Sequence, residues 1–329
     1  MSSKVSVPFV LIVSPALAEA NNGNWQTALR WSRMLSDRSG ERYRTGIQLK
    51  WAGEQCDVLI ALHAKRSAAS ISAFAASHPH RPCILVLTGT DLYRDIQTDA
   101  AAQASLQHAT HIVVLQEQGM HELPPDLQKK VTVIYQSAKA LKPVDAPASR
   151  LRVISVGHLR DEKDPLTYLR AAARLGQRRD IQFELIGNAL ESEFASAARD
   201  AVATNPHFRW LGALPHAVTR QRIKHAQLLV NTSRMEGGAH VILEAAQSGC
   251  AVLASNVPGN LGMLGAGHEG LFELGDDAAL AELIARCRDD ALFLRHLREQ
   301  TQARAHLFEP AEEQRRLRHL IQTALETSP

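Results

Sequence analysis

The chain has 329 residues, 45% hydrophobic and 22% charged, with 37 Lys and Arg against 34 Asp and Glu for a formal net charge of +3. These proportions exclude a mainly disordered chain, and so small and dispersed a cationic excess excludes the footprint of a nucleic-acid binder. At about 150 residues per domain, the length predicts two domains of similar size.

Met1 to Val7 carries one lysine and no long apolar core, and Phe9–Val13 is too short to span a bilayer, so a soluble cytoplasmic protein is expected. Cys56, Cys83, Cys250 and Cys287 form no Cys-x-x-Cys pair, which points to a reducing compartment without a zinc ribbon or disulfide framework. Strands are predicted near Phe9–Val13, Arg44–Leu49, Val58–Leu62, Ile84–Leu87, His111–Leu115 and Val131–Tyr135, with helices between them such as Trp25–Ser36 and Ser67–Ala76. Ala138 to Ser149, with Pro143, Pro147 and small residues, reads as a linker and hinge. The alternation restarts with strands near Arg152–Val156, Gln182–Ile186, Phe208–Leu211, Leu228–Asn231 and Ala251–Ala254, and helices beginning near Pro165, Ser192, His216 and Ala239. From Asp276 the pattern is helical to Thr327, broken only at Pro310. The pattern predicts an α/β protein of two Rossmann-like doubly wound domains facing across a cleft, with C-terminal helices. The boundaries are 1–140 for the first domain, 141–149 for the linker, 150–308 for the second domain, and 309–329 for a helix packing back toward the first.

Polar residues cluster where predicted strands end. Glu236-Gly237-Gly238-Ala239-His240 leaves an apolar strand and opens a helix, with Glu244 about two turns further on and roughly on the same side. One glutamate is placed to accept from sugar hydroxyls and the other from a ribose diol; the plain alternative is a helix start with Glu244 solvated. In the first half, Asn21-Asn22-Gly23-Asn24 joins strand to helix, with Asn24 also a plausible N-cap. His63, Lys65, Arg66 and Ser67 make an anion-binding cluster or a surface charge pair with Ser67 capping. Thr90, Asp91 and Arg94 form another polar cluster, in which Asp91 could simply cap the next helix.

The Glu236 to Glu244 segment resembles the Glu-x7-Glu signature of the family 4 retaining glycosyltransferases, whose fold is GT-B, and the match continues to Gly249-Cys250-Ala251-Val252. Gly157-His158-Leu159-Arg160-Asp161-Glu162-Lys163 is similar to that family's diphosphate clamp. Lys163 matches, and His158 stands where the family usually has arginine, so one fixed positive charge is missing unless His158 is protonated or Arg160 substitutes for it. Gly187-Asn188-Ala189 resembles the nucleotide loop, and Gly212-Ala213-Leu214-Pro215 the loop that reads the base. The resemblance implies a UDP-sugar site of Gly23, Asn24, His158, Arg160, Lys163, Gly187, Leu214, Glu236, Gly237, Gly238, Ala239 and Glu244.

Segments 24–31, 61–70, 87–95 and 133–137 resemble a narrower group, the selenosugar synthases of selenoneine biosynthesis. That resemblance implies transfer of a sugar from a UDP-sugar, UDP-N-acetylglucosamine foremost, to selenophosphate held by Lys65, Arg66, Ser67, Thr90 and Arg94. Release of the selenosugar then requires water to cleave the Se–P bond, for which His63 or Asp91 is the candidate acid/base group beside catalytic Glu236; the resemblance also implies functional coupling to a selenophosphate synthetase and a downstream selenoneine synthase. No cofactor or metal is expected: Asp-x-Asp does not occur, and the fifteen histidines look dispersed over the surface. A conventional transferase with a hydroxyl acceptor, a UDP-sugar epimerase or hydrolase, and a nucleotide-sugar binding protein are the competing readings. Gly265-Ala266-Gly267-His268-Glu269-Gly270 matches the dinucleotide fingerprint only by coincidence, because it does not open a helix.

Overall fold

The computed structural model describes residues 7–17, 23–37, 43–144 and 149–327. Asn21 and Asn22 of the first glycine loop and residues 145–148 of the expected linker lie outside them. The chain divides into two compact units, Met1–Gln136 with Pro310–Pro329, and Ser137–Glu309.

The first unit holds a parallel sheet of β1 (Phe9–Val13), β2 (Arg44–Gln48), β3 (Val58–Leu62), β4 (Cys83–Leu87), β5 (His111–Val114) and β6 (Val131–Val133), in the order β2-β1-β3-β4-β5-β6. Its helices are α1 (Gly23–Ser36), α2 (Ala68–Ser77), α3 (Ile96–Thr98), α4 (Ala100–His108) and α5 (Pro125–Gln128). The central strands read as unbroken apolar runs because both faces of the sheet are covered. Leu11 and Val13 face one core, while Val10 and Ile12 face the other.

The second unit holds β7 (Leu151–Val156), β8 (Ile181–Ile186), β9 (Phe208–Trp210), β10 (Leu228–Asn231), β11 (Ala251–Ser255) and β12 (Leu271–Phe272), ordered β12-β11-β10-β7-β8-β9. The helices are α6 (Pro165–Arg174), α7 (Ser192–Thr204), α8 (His216–His225), α9 (His240–Ala246), α10 (Pro258–Leu264), α11 (Asp277–Asp289) and α12 (Ala291–Ala303). α13 (Pro310–Thr327) returns to the first unit, where buried Glu313 accepts from Trp31 Nε1 at 2.7 Å and from Arg30 Nε at 3.0 Å. Each order has one switch point, between β1 and β3 and between β7 and β10, where successive connections depart in opposite directions and leave a crevice at the strands' carboxyl ends.

The structure departs from expectation in three places. The last helical stretch also breaks at Asp290, whose carboxylate accepts from Leu292 N and Phe293 N as the N-cap of α12. Leu271–Phe272 is an edge strand that the predicted strands do not include. Asn24 does not cap α1, which already begins at Gly23. Gly265 to Gly270 joins α10 to β12 rather than opening a helix.

Within that connection, His268 is buried; its Nδ1 accepts from Gly270 N at 3.1 Å, and its Nε2 lies 3.3 Å from Thr301 Oγ1. Thr301 gives its own proton to Leu297 O, so Nε2 carries the ring hydrogen and the imidazole is neutral. Burial first, and the nearby His296 second, push its pKa from 6.5 down to about 4. The unfolded chain therefore binds a proton that the folded chain refuses. Stability is fully present above about pH 6.5 and is lost as pH falls toward about 4, by up to roughly 3 kcal/mol. His268→Gln keeps an acceptor and a donor without titrating, so its urea midpoint should vary less than the parent's over this range. Equal pH slopes for the two proteins would contradict this account.

All four cysteines are free and buried, and burial pushes their thiols up to about 11 for Cys56 and about 12 for Cys83, Cys250 and Cys287. They are packing residues, not nucleophiles. Among the described residues, no helix is long and apolar enough to cross a membrane.

Candidate functional site

In the second unit, the loops after β7 and β10 flank the switch point and meet through Lys163 and Glu236, with Nζ 2.6 Å from Oε1. The loops are also tied by their backbones: Arg234 N donates to Glu162 O at 2.9 Å, and Thr232 Oγ1 to Lys163 O at 2.9 Å. The same Glu236 oxygen lies 2.6 Å from Ser233 Oγ and 3.4 Å from Asn231 Nδ2, while Oε2 takes none of these three bonds. Burial alone would raise the Glu236 pKa; the Lys163 charge and these hydrogen bonds outweigh it and hold the carboxyl below its usual range. Glu236 is an ionised buried carboxylate facing a cation.

Behind it, Asn231 Nδ2 donates to Asn260 Oδ1 at 3.0 Å, and Asn260 Nδ2 to Ser255 O at 3.0 Å. Gly259 packs so closely that a Cβ there would lie 1.9 Å from Glu236 O. Any side chain at 259 would displace the Glu236 backbone. These supporting residues were not singled out in the sequence. Polarity at the end of an apolar strand marks Asn231 and Ser255, whereas nothing local marks Gly259 and Asn260 within α10.

The expected nucleotide loops also meet one another. Gly187 N donates to Gly212 O at 2.8 Å, Ala213 N to Asn188 Oδ1 at 3.0 Å, and Asn188 N to His158 Nδ1 at 3.2 Å. His158 Nδ1 is thus an acceptor and carries no proton in this arrangement. Gly187 has φ +144, and a Cβ there would lie 1.9 Å from Gly157 O, so only glycine fits between these loops. Arg160 lies 3.7 Å from Glu162 and is half-buried. Leu214 follows in the same loop, and Gly237, Gly238 and Ala239 form the turn from β10 into α9.

Glu244 is buried on α9, not solvated, and its Oε1 lies 2.6 Å from His216 Nε2 and 3.2 Å from His240 Nδ1. Burial would raise its pKa, and the two imidazole contacts bring it down to about 2. The dispersed histidines of the sequence reading therefore include a convergent pair. His216 lies far from Glu244 in sequence and only the fold brings it near.

In the first unit, the cluster lies at the β1/β3 switch point. His63 follows β3 with φ 73, a left-handed backbone that a non-glycine side chain rarely adopts and that tends to mark functional positions. Its Nδ1 accepts from Arg66 N at 3.4 Å, while Nε2 lies 3.3 Å from Thr90 Oγ1 and 3.8 Å from Asp95 Oδ2. Burial lowers the His63 pKa, opposed in part by Asp91 and Asp95, so the ring is neutral with its proton on Nε2.

Asp91 does not cap the next helix. Its Oδ1 accepts from Thr88 N and Gly89 N, each at 2.9 Å, and Oδ2 from Ala64 N at 2.9 Å, which staples the ends of β3 and β4 together. The same Oδ2 lies 3.9 Å from His63 Nδ1. Ser67 is buried and does not cap α2; its Oγ donates to Leu62 O at 2.6 Å. Lys65, Arg66 and Arg94 are more open; Lys65 reaches Asp99 at 2.9 Å and Arg94 reaches Asp95 at 3.5 Å. Gly23 and Asn24 open α1 after β1.

Two doubly wound parallel units, each with polar loops at its switch point, define the GT-B class of nucleotide-sugar folds. Residues 136–305 match the family model described as Glycosyl transferases group 1, and the chain belongs to that family. The fold is similar to that of Anabaena HepE, solved with UDP-glucose: 14% identity, TM-score 0.75, 96% of this chain and 100% of that one covered. Sucrose-phosphate synthase from Thermosynechococcus elongatus is 17% identical with TM-score 0.79, covering 98% and 100% of the two chains. The pneumococcal O-GlcNAc transferase GtfA, solved with UDP and GlcNAc, is 16% identical with TM-score 0.65, covering 82% of this chain and 57% of that one. At these identities the likeness is one of fold.

Proposed function

We propose that the protein is a selenosugar synthase, which transfers a sugar from a UDP-sugar to the selenium of selenophosphate. The observation that supports the donor half most strongly is the buried Lys163–Glu236 pair at the β7/β10 switch point. Lys163 and Arg160 meet the diphosphate charge, with His158 in the same loop. Glu236 accepts from sugar hydroxyls, backed by Gly237, Gly238 and Ala239. Gly187 and Leu214 border the base, and Glu244 accepts from the ribose diol.

The acceptor half is supported by the resemblance of segments 24–31, 61–70, 87–95 and 133–137 to selenosugar synthases. Selenophosphate is already an anionic soft nucleophile and needs cations to position it more than a base to deprotonate it. Lys65, Arg66 and Arg94 supply the charge, and Thr90 a hydroxyl. The selenium lone pair forms the C1–Se bond while the C1–O electron pair leaves with UDP. Water then adds to phosphorus, phosphate departs, and the selenium takes the proton. His63 holds the proton for this second step, and Asp91 fixes the loop that presents it. The substrates and product link the enzyme to a reaction supplying selenophosphate and one consuming the selenosugar.

UDP release should require selenophosphate under reducing, oxygen-free conditions with UDP-N-acetylglucosamine or UDP-glucose. His63→Ala should leave that release largely intact and stop the appearance of free phosphate and selenosugar. UDP release without selenophosphate would contradict the proposal in favour of hydrolysis or epimerisation. Unchanged phosphate release in His63→Ala would remove His63 from the second step.

A further inference from the structure

We propose that His216, His240 and Glu244 form a binding site for a borderline transition-metal ion such as Zn2+. One ligand atom from each of the three residues lies within 4.8 Å of the other two, and His216 Nε2 and His240 Nδ1 approach Glu244 Oε1 to 2.6 and 3.2 Å. His240 and Glu244 are four residues apart on α9, a spacing that puts both on one helix face, and His216 enters from the start of α8. The two rings are inclined at 64°, with centroids 6.3 Å apart, so their nitrogens converge on Glu244 without stacking.

Exposure is graded in a way that suits an ion entering from solvent. The Glu244 side chain is 3% exposed, that of His240 34% and that of His216 68%. The buried carboxylate forms the floor, and the open side leaves room for water to complete the coordination, as in three-ligand zinc sites. Two imidazoles and one carboxylate favour zinc, cobalt, nickel or copper over magnesium, which takes mainly oxygen ligands. Arg220 Nε lies 4.0 Å from the same Glu244 oxygen and repels a cation, which keeps the affinity below that of a structural zinc site.

Occupation would take up the Glu244 carboxylate, so under the proposed role of that residue toward the ribose, zinc and UDP compete. The metal site and this competition are separable. Equilibrium dialysis of the full chain with Zn2+ should show one saturable equivalent at this site, weakened about tenfold or more in both His216→Ala and His240→Leu, with an excess of Mg2+ failing to displace it. Co2+ in place of zinc should give a visible d–d spectrum that both variants lose. Zinc uptake equal in the parent and both variants, or no saturable uptake at all, overturns the site. Uptake lost in both variants but without any rise in the apparent UDP Kd upholds the site and overturns the ribose role of Glu244.

Discussion

Replacing Glu236 by Gln should lower kcat by about a hundred- to a thousandfold, with a much smaller change in KM and no loss of folded protein. The substitution is nearly isosteric, and the amide oxygen still accepts from Lys163, Ser233 and Asn231, which all meet at Oε1 in the parent. What disappears is the buried negative charge. In glycosyl transfer positive charge builds at the anomeric carbon as the leaving group departs, so an ionised carboxylate among the sugar hydroxyls helps the transition state more than the ground state. Lys163→Ala is a poorer probe: it strands Glu236 without its cation, which costs several kcal/mol of stability and confounds the kinetics. Steady-state kinetics on Glu236→Gln, with a urea melt as control, makes the measurement. A kcat within tenfold of the parent would reduce the Lys163–Glu236 contact to an internal ion pair with no part in turnover.

The second large effect concerns the fold. Glu313→Ala should destabilise the first unit by about 3 kcal/mol or more, because it leaves the Trp31 indole N–H and the Arg30 guanidinium without the carboxylate that receives both. Glu313 is fully buried and Arg30 only slightly exposed, so solvent replaces little of what is lost. Around this contact, Leu317, Leu320, Ile321 and Ala324 of α13 join the core that also holds Trp31 and Leu35 of α1. Glu313→Gln, which still accepts from Trp31, should lose distinctly less. Chemical denaturation followed by tryptophan fluorescence distinguishes the two. A loss below about 1 kcal/mol in Glu313→Ala would mean that the apolar contacts hold the helix without it.

The strand ladders and the Glu236 turn could be read from the chain because their determinants are local: an apolar run of strand length, then glycines beside a carboxylate. Lys163 and Glu236 were both singled out, yet nothing in their spacing said that they touch. That contact follows from the parallel pairing of β7 with β10. His216 illustrates the limit from the other side. Its relation to Glu244 exists only once α8 and α9 pack together, and a histidine at a helix start gives no sign of it. Asp91 was correctly sensed as polar and special, but its three backbone donors come from two strand ends that are adjacent only in the sheet. The break at Asp290 was available in principle, as an aspartate before an apolar helical run, and was hidden by the helix-forming residues on either side.

In the proposed reaction selenium, not oxygen, receives the sugar. The most direct test is the mass of the product formed from UDP-N-acetylglucosamine and selenophosphate by the wild-type enzyme, followed without oxygen and together with UDP and phosphate. The expected product carries the isotope pattern of one selenium atom, the mass of an N-acetylhexosamine with selenium in place of the anomeric oxygen, and no phosphorus, and it forms in step with equal amounts of UDP and phosphate. Free sugar carrying oxygen at the anomeric carbon, released at the same rate whether or not selenophosphate is present, would contradict it.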